Sequence, residues 1–241
     1  MKHFNLFCRL MLLCIVCSFS IPALSQGVVV YKKDGTMVKY SYAEVDSIVT
    51  YNYGEEPGAP VTPPSTSPYE AVDLGLSVKW ASCNVGANAP EEYGDYFAWG
   101  EISPKSSYDN FNSVTYGKAM SDISGNAQYD AARANRGGAW RMPTLAEIKE
   151  LLNNCSWKWT TQNGVNGYRV TGPNGNSVFV PAAGFRRGTS LNNEGSSGYY
   201  WSSTPYESDS LYAYCLFFDS SDYDWGHSSR YNGLCVRPVL E

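Results

Sequence analysis

The clearest structural signal in the chain is the stretch Trp140-Arg141-Met142-Pro143-Thr144-Leu145-Ala146-Glu147. Thr144 and Glu147 have the spacing of a capping box, in which each side chain accepts a hydrogen bond from the backbone amide of the other residue. Apolar side chains then repeat at helical spacing: Leu145, Ile148, Leu151 and Leu152. The stretch therefore predicts one amphipathic helix that begins after Thr144 and ends at Asn153-Asn154.

Short strands are predicted on both sides of this helix. The hydrophobic stretches are brief and are separated by Gly, Asn and Ser, which is typical of a β-rich chain. Asn174-Gly175 predicts a hairpin turn between Tyr168–Thr171 and Ser177–Val180, because Gly tolerates positive φ. A weaker helix is predicted at 129–134, and further strands at 177–181, 211–218 and 234–239. The class predicted for residues 69–241 is α+β with a small helical share.

The first 25 residues have the features of a signal peptide. Lys2 and Arg9 supply positive charge, an apolar run follows, and Ala23 and Ser25 give small residues at a cleavage site before Gln26. A membrane anchor is one alternative, although the apolar run is short for a span. A lipoprotein signal is another, although neither Cys14 nor Cys17 follows a small residue.

Two segments separate the signal from the main domain. Residues 27–53 predict a small β module, with strands at 28–31, 36–40 and 47–53. It is too short to bury a stable core alone. Gly54–Pro68 has five prolines in fifteen residues. Proline fixes φ and removes backbone donors, so this segment is predicted to be an extended linker.

Charge and histidine content exclude several classes of function. The net charge is −5, and removing the signal leaves 16 basic against 23 acidic residues. Nucleic-acid binding is not expected of an acidic chain without Lys/Arg runs. His227 is the one histidine outside the signal. A multi-histidine zinc site is therefore excluded, and a Ser-His-Asp or Cys-His enzyme would depend wholly on His227.

Six motifs in the main domain recur together in one known family: Val72–Leu76, Trp80–Ala87, Pro90–Glu101, Trp140–Thr144, Tyr200–Thr204 and Val236–Val239. Over about 71–239 they resemble the Fibrobacter succinogenes major paralogous domain, which is abundant in Bacteroidetes. That family is similar in turn to the C-type lectin-like fold, in its formylglycine-generating-enzyme branch. The resemblance implies a compact α+β domain with a twisted antiparallel sheet and long loops.

The metal and cofactor chemistry of that fold is not expected in this chain. Calcium-dependent lectins of the fold use Glu-Pro-Asn or Gln-Pro-Asp together with Trp-Asn-Asp, and these triplets do not occur here. Asp219, Asp222 and Asp224 are interpreted as a solvated acidic loop rather than a cation site. The sequence thus predicts no catalytic residue, no metal site and no cofactor.

Four cysteines remain outside the signal: Cys83, Cys155, Cys215 and Cys235. An even count in an exported chain suggests disulfides. The preferred pair is Cys215–Cys235, expected on neighbouring strands, which leaves Cys83–Cys155. Four reduced, buried thiols are the alternative. The enzyme branch of the fold binds copper with a close cysteine pair, which the spacing of Cys215 and Cys235 does not match.

The segment Leu191–Asn232 carries the candidate binding site. It holds 7 of the 19 tyrosines and 10 serines, a composition typical of antibody paratopes. The residues expected in loops and at a ligand are Tyr206, Tyr223, Asp224, Trp225, His227, Arg230 and Tyr231. The alternative is that the Tyr-rich strands only pack the sheet. Tyr199, Tyr200 and Trp201 are assigned to the core.

These patterns together predict an exported, surface-exposed, non-catalytic binding protein for a protein or glycan. Its expected location is the periplasm, the cell surface or the medium, with no stable membrane span once the signal is removed. One alternative is an oxidase of the formylglycine-generating type. The other is a structural or assembly subunit whose β module pairs with another chain by strand addition.

Overall fold

The computed structural model describes residues 27–31, 37–41 and 70–241. The chain divides into two units between Thr62 and Pro63. The described residues form these elements: β1 (Gly27–Tyr31), β2 (Met37–Ser41), β3 (Ala71–Val72), β4 (Lys79–Ala81), α1 (Ala131–Arg136), α2 (Leu145–Asn154), β5 (Ser156–Gln162), β6 (Val165–Thr171), β7 (Ser177–Pro181), β8 (Phe185–Arg187), β9 (Ser190–Asn192), β10 (Ser197–Pro205), β11 (Tyr212–Asp219), β12 (Tyr223–Ser229) and β13 (Val239–Leu240).

The described part of the first unit is an antiparallel strand pair. Gly27 of β1 lies opposite Ser41 of β2, and Tyr31 lies opposite Met37. The pair confirms the two strands predicted at 28–31 and 36–40. The predicted signal at 1–25, the third strand at 47–53 and the linker at 54–68 lie outside the described residues.

Residues 70–241 of the second unit form four small antiparallel sheets and two helices. The sheets have the strand orders β13-β4-β3, β5-β6-β7, β8-β9 and β10-β11-β12. This confirms the predicted α+β class. The hairpin predicted at Asn174-Gly175 joins β6 to β7, and Gly175 has φ +87°.

The predicted capping box is present at the start of α2. The Glu147 amide donates to Thr144 Oγ1 at 3.3 Å, and the Thr144 amide donates to Glu147 Oε2 at 2.8 Å. Arg141 makes a bidentate ion pair with the same carboxylate, at 2.6 and 2.9 Å. Ile148 and Leu151 are buried on the inner face of the helix. The first turn is therefore fixed by hydrogen bonds and charge, and the next two turns by packing.

Strand β10 separates two hydrophobic clusters because neighbouring side chains on a strand point to opposite faces. Tyr200 lies in the cluster that also contains Ile148 of α2 and Tyr168 of β6. Trp201 lies in the other cluster, with Trp99 and Met142. Both side chains are almost completely buried, as predicted. The core assignment of Tyr200 and Trp201 is confirmed, whereas Tyr199 is half-buried.

Arg237 joins distant parts of the second unit from within the core. Its guanidinium donates to Asn84 Oδ1 at 2.8 Å and to the carbonyl oxygens of Ala81 and Phe179 at 3.0 and 2.9 Å. Burial is the main cause that lowers the pKa of Arg237, while Tyr200 and neighbouring cysteines act in the opposite direction. Arg237, the arginine of the Val236–Val239 motif, is therefore a buried residue that stabilises the fold.

Two predicted elements differ from the structure. The weaker helix lies at Ala131–Arg136, because Asp130 accepts from the Arg133 amide and starts the helix later than predicted. Residues 234–239 are not one strand: single bridges join Leu234 to Phe97 and Cys235 to Tyr200. In this mostly apolar run, apolar and polar residues do not alternate. Such a run predicts that its residues are buried, but it does not predict that they pair with a neighbouring strand along their whole length.

The helices in the described part of the chain are too short or too polar to cross a membrane.

Candidate binding surface

One face of the β10-β11-β12 sheet changes from buried to exposed along its length. The cross-strand pairs on this face are Phe218–Tyr223, Leu216–Trp225 and Tyr214–His227. Phe218 and Leu216 are buried against α2 and β6, whereas Tyr214 is half-buried and His227 is exposed. The inner half of the face therefore belongs to the core, and the outer half faces solvent.

Five rings form an aromatic cluster that extends from Trp225, at the middle of this face, across the outer half: Tyr206, Tyr212, Tyr214, Trp225 and His227. Tyr206 stacks on His227 with centroids 4.5 Å apart and planes at 27°. Tyr214 meets Tyr206 edge to face at 5.3 Å and Trp225 at 5.7 Å. Such pairs are favourable beyond the area that they bury. The rings therefore hold one another in place by packing against each other.

Charged groups border the aromatic cluster on two sides. Lys149 of α2 places Nζ 3.8 Å from the centroid of Trp225. The Tyr214 hydroxyl donates to Glu207 Oε2 at 3.1 Å. Desolvation raises the pKa of Tyr214, and the hydrogen bond to Glu207 raises it further. The surface thus combines flat rings with donors and acceptors at its rim.

Tyr223 extends this surface toward the core. Its ring stacks on Trp157 at 4.8 Å with planes at 14°, and it meets Tyr168 edge to face. Tyr223 and Trp225 are 36% and 38% exposed. Both are large enough, and exposed enough, to contact a ligand while staying anchored by neighbouring rings.

The outer edge of β12 is bordered by carboxylates. The Arg230 amide, one residue beyond the end of β12, donates to the carbonyl oxygen of Leu211. In an antiparallel ladder hydrogen-bonded pairs alternate with non-bonded pairs, so every second residue of β12, counted back from Arg230, directs its amide toward β11. The amides of Tyr223 and Trp225 therefore point away from β11. They donate to Asp222 Oδ1 at 2.9 Å and to Asp224 Oδ1 at 2.7 Å. Two outward donors of the edge strand are already used by neighbouring side chains.

The structure corrects the expected loop position of the site. Tyr223, Asp224, Trp225 and His227 lie on strand β12, and Tyr206 directly follows β10. The segment 223–229 contains Gly226 and many polar residues, which disfavours a strand on composition alone. Its pairing with the hydrophobic β11 overrides this preference. The residues are thus aligned on a sheet instead of being displayed on loops.

Arg230 was expected at the ligand and is instead a core residue, 1% exposed. Its guanidinium donates to three carbonyl oxygens: Tyr212 at 2.9 Å, Thr115 at 3.2 Å and Lys118 at 2.8 Å. It also lies 4.4 Å from the centroid of Trp99. Burial is the main cause that lowers the pKa of Arg230. A side chain enclosed in this way does not reach a ligand on the surface.

Tyr231 lies beside the aromatic cluster rather than within it. Its ring contacts Tyr116 edge to face at 5.2 Å, and the Arg187 guanidinium lies 5.9 Å from its centroid. Desolvation raises the pKa of Tyr116, and Tyr231 and Tyr212 raise it further. Tyr231 therefore forms a separate aromatic pair with Tyr116.

Four residues at this surface were not predicted from the sequence. Tyr212 and Tyr214 were assigned to a strand, and their alternation along it is the signal that both face the same side. Lys149 and Glu207 carry no comparable signal. Lys149 reaches Trp225 only because α2 packs against the sheet.

The expected disulfides are not formed among the four cysteines of residues 70–241. Cys215 lies opposite Trp201 of β10, and Cys235 bridges to Tyr200 on the other side of the same strand. Two interstrand spacings, roughly 9–10 Å, exceed the reach of a disulfide. The prediction that Cys215 and Cys235 lie on neighbouring strands is wrong. Burial raises the pKa of the Cys215 thiol to about 12 and also raises that of Cys235.

Within residues 70–241 and the two described strands before them, no cluster of three or more His, Cys, Asp or Glu side chains could hold a metal ion. The Asp219 carboxylate stabilises the turn that follows it: Oδ1 accepts hydrogen bonds from the Ser221 amide at 2.7 Å and from the Asp222 amide at 3.1 Å. The Ser221 hydroxyl also donates to Oδ1, at 2.7 Å, and this bond, followed by the two amides, lowers the pKa of Asp219.

The second unit is thus an α+β domain of small antiparallel sheets that displays an aromatic sheet face. Residues 148–239 match the family model described as Domain of unknown function (DUF8237). The match includes most of α2 and all of β10, β11 and β12, and so contains the aromatic cluster. No curated protein and no solved structure matches the chain.

Proposed function

We propose that this chain is an exported, surface-exposed, non-catalytic binding protein with a C-type lectin-like domain. It recognises a protein or a glycan through the aromatic cluster and β12. The motifs that resemble the major paralogous domain family support this fold, and an α+β domain of antiparallel sheets is compatible with it. The observation that carries the binding function is a set of mutually packed rings on a sheet, of which Trp225 and His227 are exposed and the three tyrosines half-buried.

The aromatic cluster suits recognition for a physical reason. Tyr and Trp offer large contact areas with few torsions to immobilise, so little conformational entropy is lost when a ligand binds. Ring stacking restricts these torsions further before binding, as between Tyr206 and His227. Hydroxyl, carboxylate and ammonium groups at the rim supply directional contacts.

A non-catalytic role is supported by the positions of the reactive groups. His227 stacks on Tyr206 within the cluster. Cys215 and Cys235 are buried, with pKa values raised by desolvation. A copper site of the oxidase type needs an accessible pair of thiolates, and β10 lies between these two cysteines.

The experiment is a glycan and surface-protein array probed with the chain from Gln26 onward. Trp225→Ala and Tyr206→Ala should each weaken binding of the ligand found at least about tenfold, equivalent to ~1.4 kcal/mol. Phe111→Ala is the matched control, because Phe111 is 95% exposed and lies outside the cluster. Binding that survives both cluster variants, or that is lost in Phe111→Ala alone, contradicts the proposal.

A further inference from the structure

The aromatic cluster lies in the most acidic part of the second unit. Residues 206–229 contain five carboxylates and no Lys or Arg, whereas the whole chain has a net charge of −5. The five are Glu207, Asp209, Asp219, Asp222 and Asp224. A surface with this charge attracts a cationic partner and repels an acidic one.

The edge of β12 presents acceptors where a regular edge strand alternates donors and acceptors. The outward amides of Tyr223 and Trp225 are bonded to Asp222 and Asp224. The groups that still point outward along this part of the edge are all acceptors: the carboxylate oxygens of Asp222 and Asp224 and the carbonyl oxygens of Tyr223 and Trp225. An added β-strand would bring its own carbonyls against these carboxylates, so strand addition is disfavoured here. Guanidinium and ammonium groups carry donors only and fit this edge.

The chain itself contains one example of the proposed contact. Lys149 places its ammonium 3.8 Å from the centroid of Trp225, which is the geometry of a cation–π interaction. Trp225 therefore lies in a setting that accepts a cation on its ring. Lys149 and the buried Arg230, which interacts with Asp209, offset two of the five carboxylates, so the surface keeps an excess of negative charge.

We propose that the partner is a protein segment that presents Arg or Lys side chains to the aromatic cluster and the acceptor edge of β12. This inference rests on the proposed function and names the chemistry of the ligand. The cationic groups stack on the exposed rings and donate to Asp222, Asp224 and Glu207. Lys149 competes with them for Trp225.

The experiment uses the chain from Gln26 onward, labelled with ¹⁵N, and follows the indole N–H of Trp225 by NMR. The probes are acetyl-(Gly-Arg)₃-Gly-amide, the same peptide with citrulline for arginine, and maltoheptaose as a neutral glycan. We expect the arginine peptide to shift the Trp225 signal. The citrulline peptide should bind at least about tenfold more weakly, because citrulline lacks the positive charge of arginine. A tenfold change in affinity corresponds to ~1.4 kcal/mol. Raising NaCl from about 0.05 to 0.5 M should weaken the arginine peptide severalfold.

Variants separate this proposal from general attraction to an acidic protein. Asp224→Asn together with Glu207→Gln should weaken the arginine peptide, whereas Glu70→Gln, which also removes charge from an exposed residue, should not. Lys149→Ala should strengthen binding about two- to fivefold, because it removes a like charge and uncovers the Trp225 ring. Weaker binding by Lys149→Ala overturns the proposal.

The outcomes distinguish this inference from the proposed function. If maltoheptaose or an array glycan binds through Trp225 while the arginine peptide does not, the cationic partner is wrong and the binding function stands. If the citrulline peptide binds as well as the arginine peptide, the cationic partner is also wrong. If no array ligand and no probe responds to Trp225→Ala, both proposals fail.

Discussion

Replacing Arg230 with methionine should lower the free energy of unfolding by about 3 kcal/mol. The change removes the donors of three carbonyl oxygens, those of Tyr212, Thr115 and Lys118. It also removes the cation that lies 4.4 Å from the centroid of Trp99. Methionine fills part of the space but bonds to none of these oxygens.

The magnitude follows from three opposing contributions. Each hydrogen bond from a charged donor contributes about 1.5 kcal/mol, and the contact with the Trp99 ring adds about 1.5 kcal/mol. Burying the guanidinium is unfavourable by about 3 kcal/mol after the protein relaxes, and the methionine variant avoids this term. The difference is a net loss of about 3 kcal/mol, which is a large part of the stability of a domain of this size.

The assay is equilibrium unfolding in urea, followed by tryptophan fluorescence at neutral pH. Arg187→Met is the matched control, since Arg187 is exposed, and it should change the free energy of unfolding by less than about 0.5 kcal/mol. Arg230→Lys should recover only part of the loss, because an ammonium lacks the planar fork that reaches several carbonyls. If Arg230→Met keeps full stability but abolishes ligand binding, Arg230 is a ligand residue and the structural interpretation is wrong.

Two further predictions concern the framework of the surface. Burial by itself would raise the pKa of Glu147, but the hydrogen bonds from Arg141 and from the Thr144 amide outweigh it and hold the pKa below its usual value. Glu147→Gln should therefore be less stable by about 1–2 kcal/mol at pH 7. In urea unfolding this difference should begin to shrink as the pH falls below about 4.3, where the carboxyl becomes protonated in the unfolded chain. It should be lost once the pH also falls through the lower folded-state pKa, and a pH-independent difference would refute the prediction. Gly198→Ala would make its Cβ overlap the Phe218 ring and should destabilise the domain by about 1–3 kcal/mol. A melting temperature equal to that of the wild type would contradict the close packing at this pair.

Local patterns predicted the parts of the fold that local forces create. The capping box at Thr144 and Glu147 depends on residues three apart, so its start and direction follow from sequence alone. The Asn174-Gly175 hairpin depends likewise on one turn. The grouping of strands into four sheets depends on contacts between distant residues, such as Arg237 with Ala81 and Phe179. No short sequence pattern encodes those contacts.

The sequence predicted which residue types form the candidate site better than it predicted how those residues are arranged. Tyr206, Trp225 and His227 were identified because the segment is rich in rings, and the structure brings them together. Arg230 was misplaced because an isolated arginine in a polar segment usually faces solvent. Its burial follows from the loop containing Thr115 and Lys118, far away in sequence. Lys149 was missed for the same reason.

Strand β11 gives the domain a natural division between positions that can vary and positions that cannot. Leu216 and Phe218 are buried. Tyr212 and Tyr214, on the same face, are half-buried and contact the other rings of the aromatic cluster. Substitutions at the exposed end change what is displayed without opening the core. A library that randomises Tyr206, Tyr212, Tyr214, Trp225 and His227 while keeping the buried end constant would therefore start from a folded scaffold.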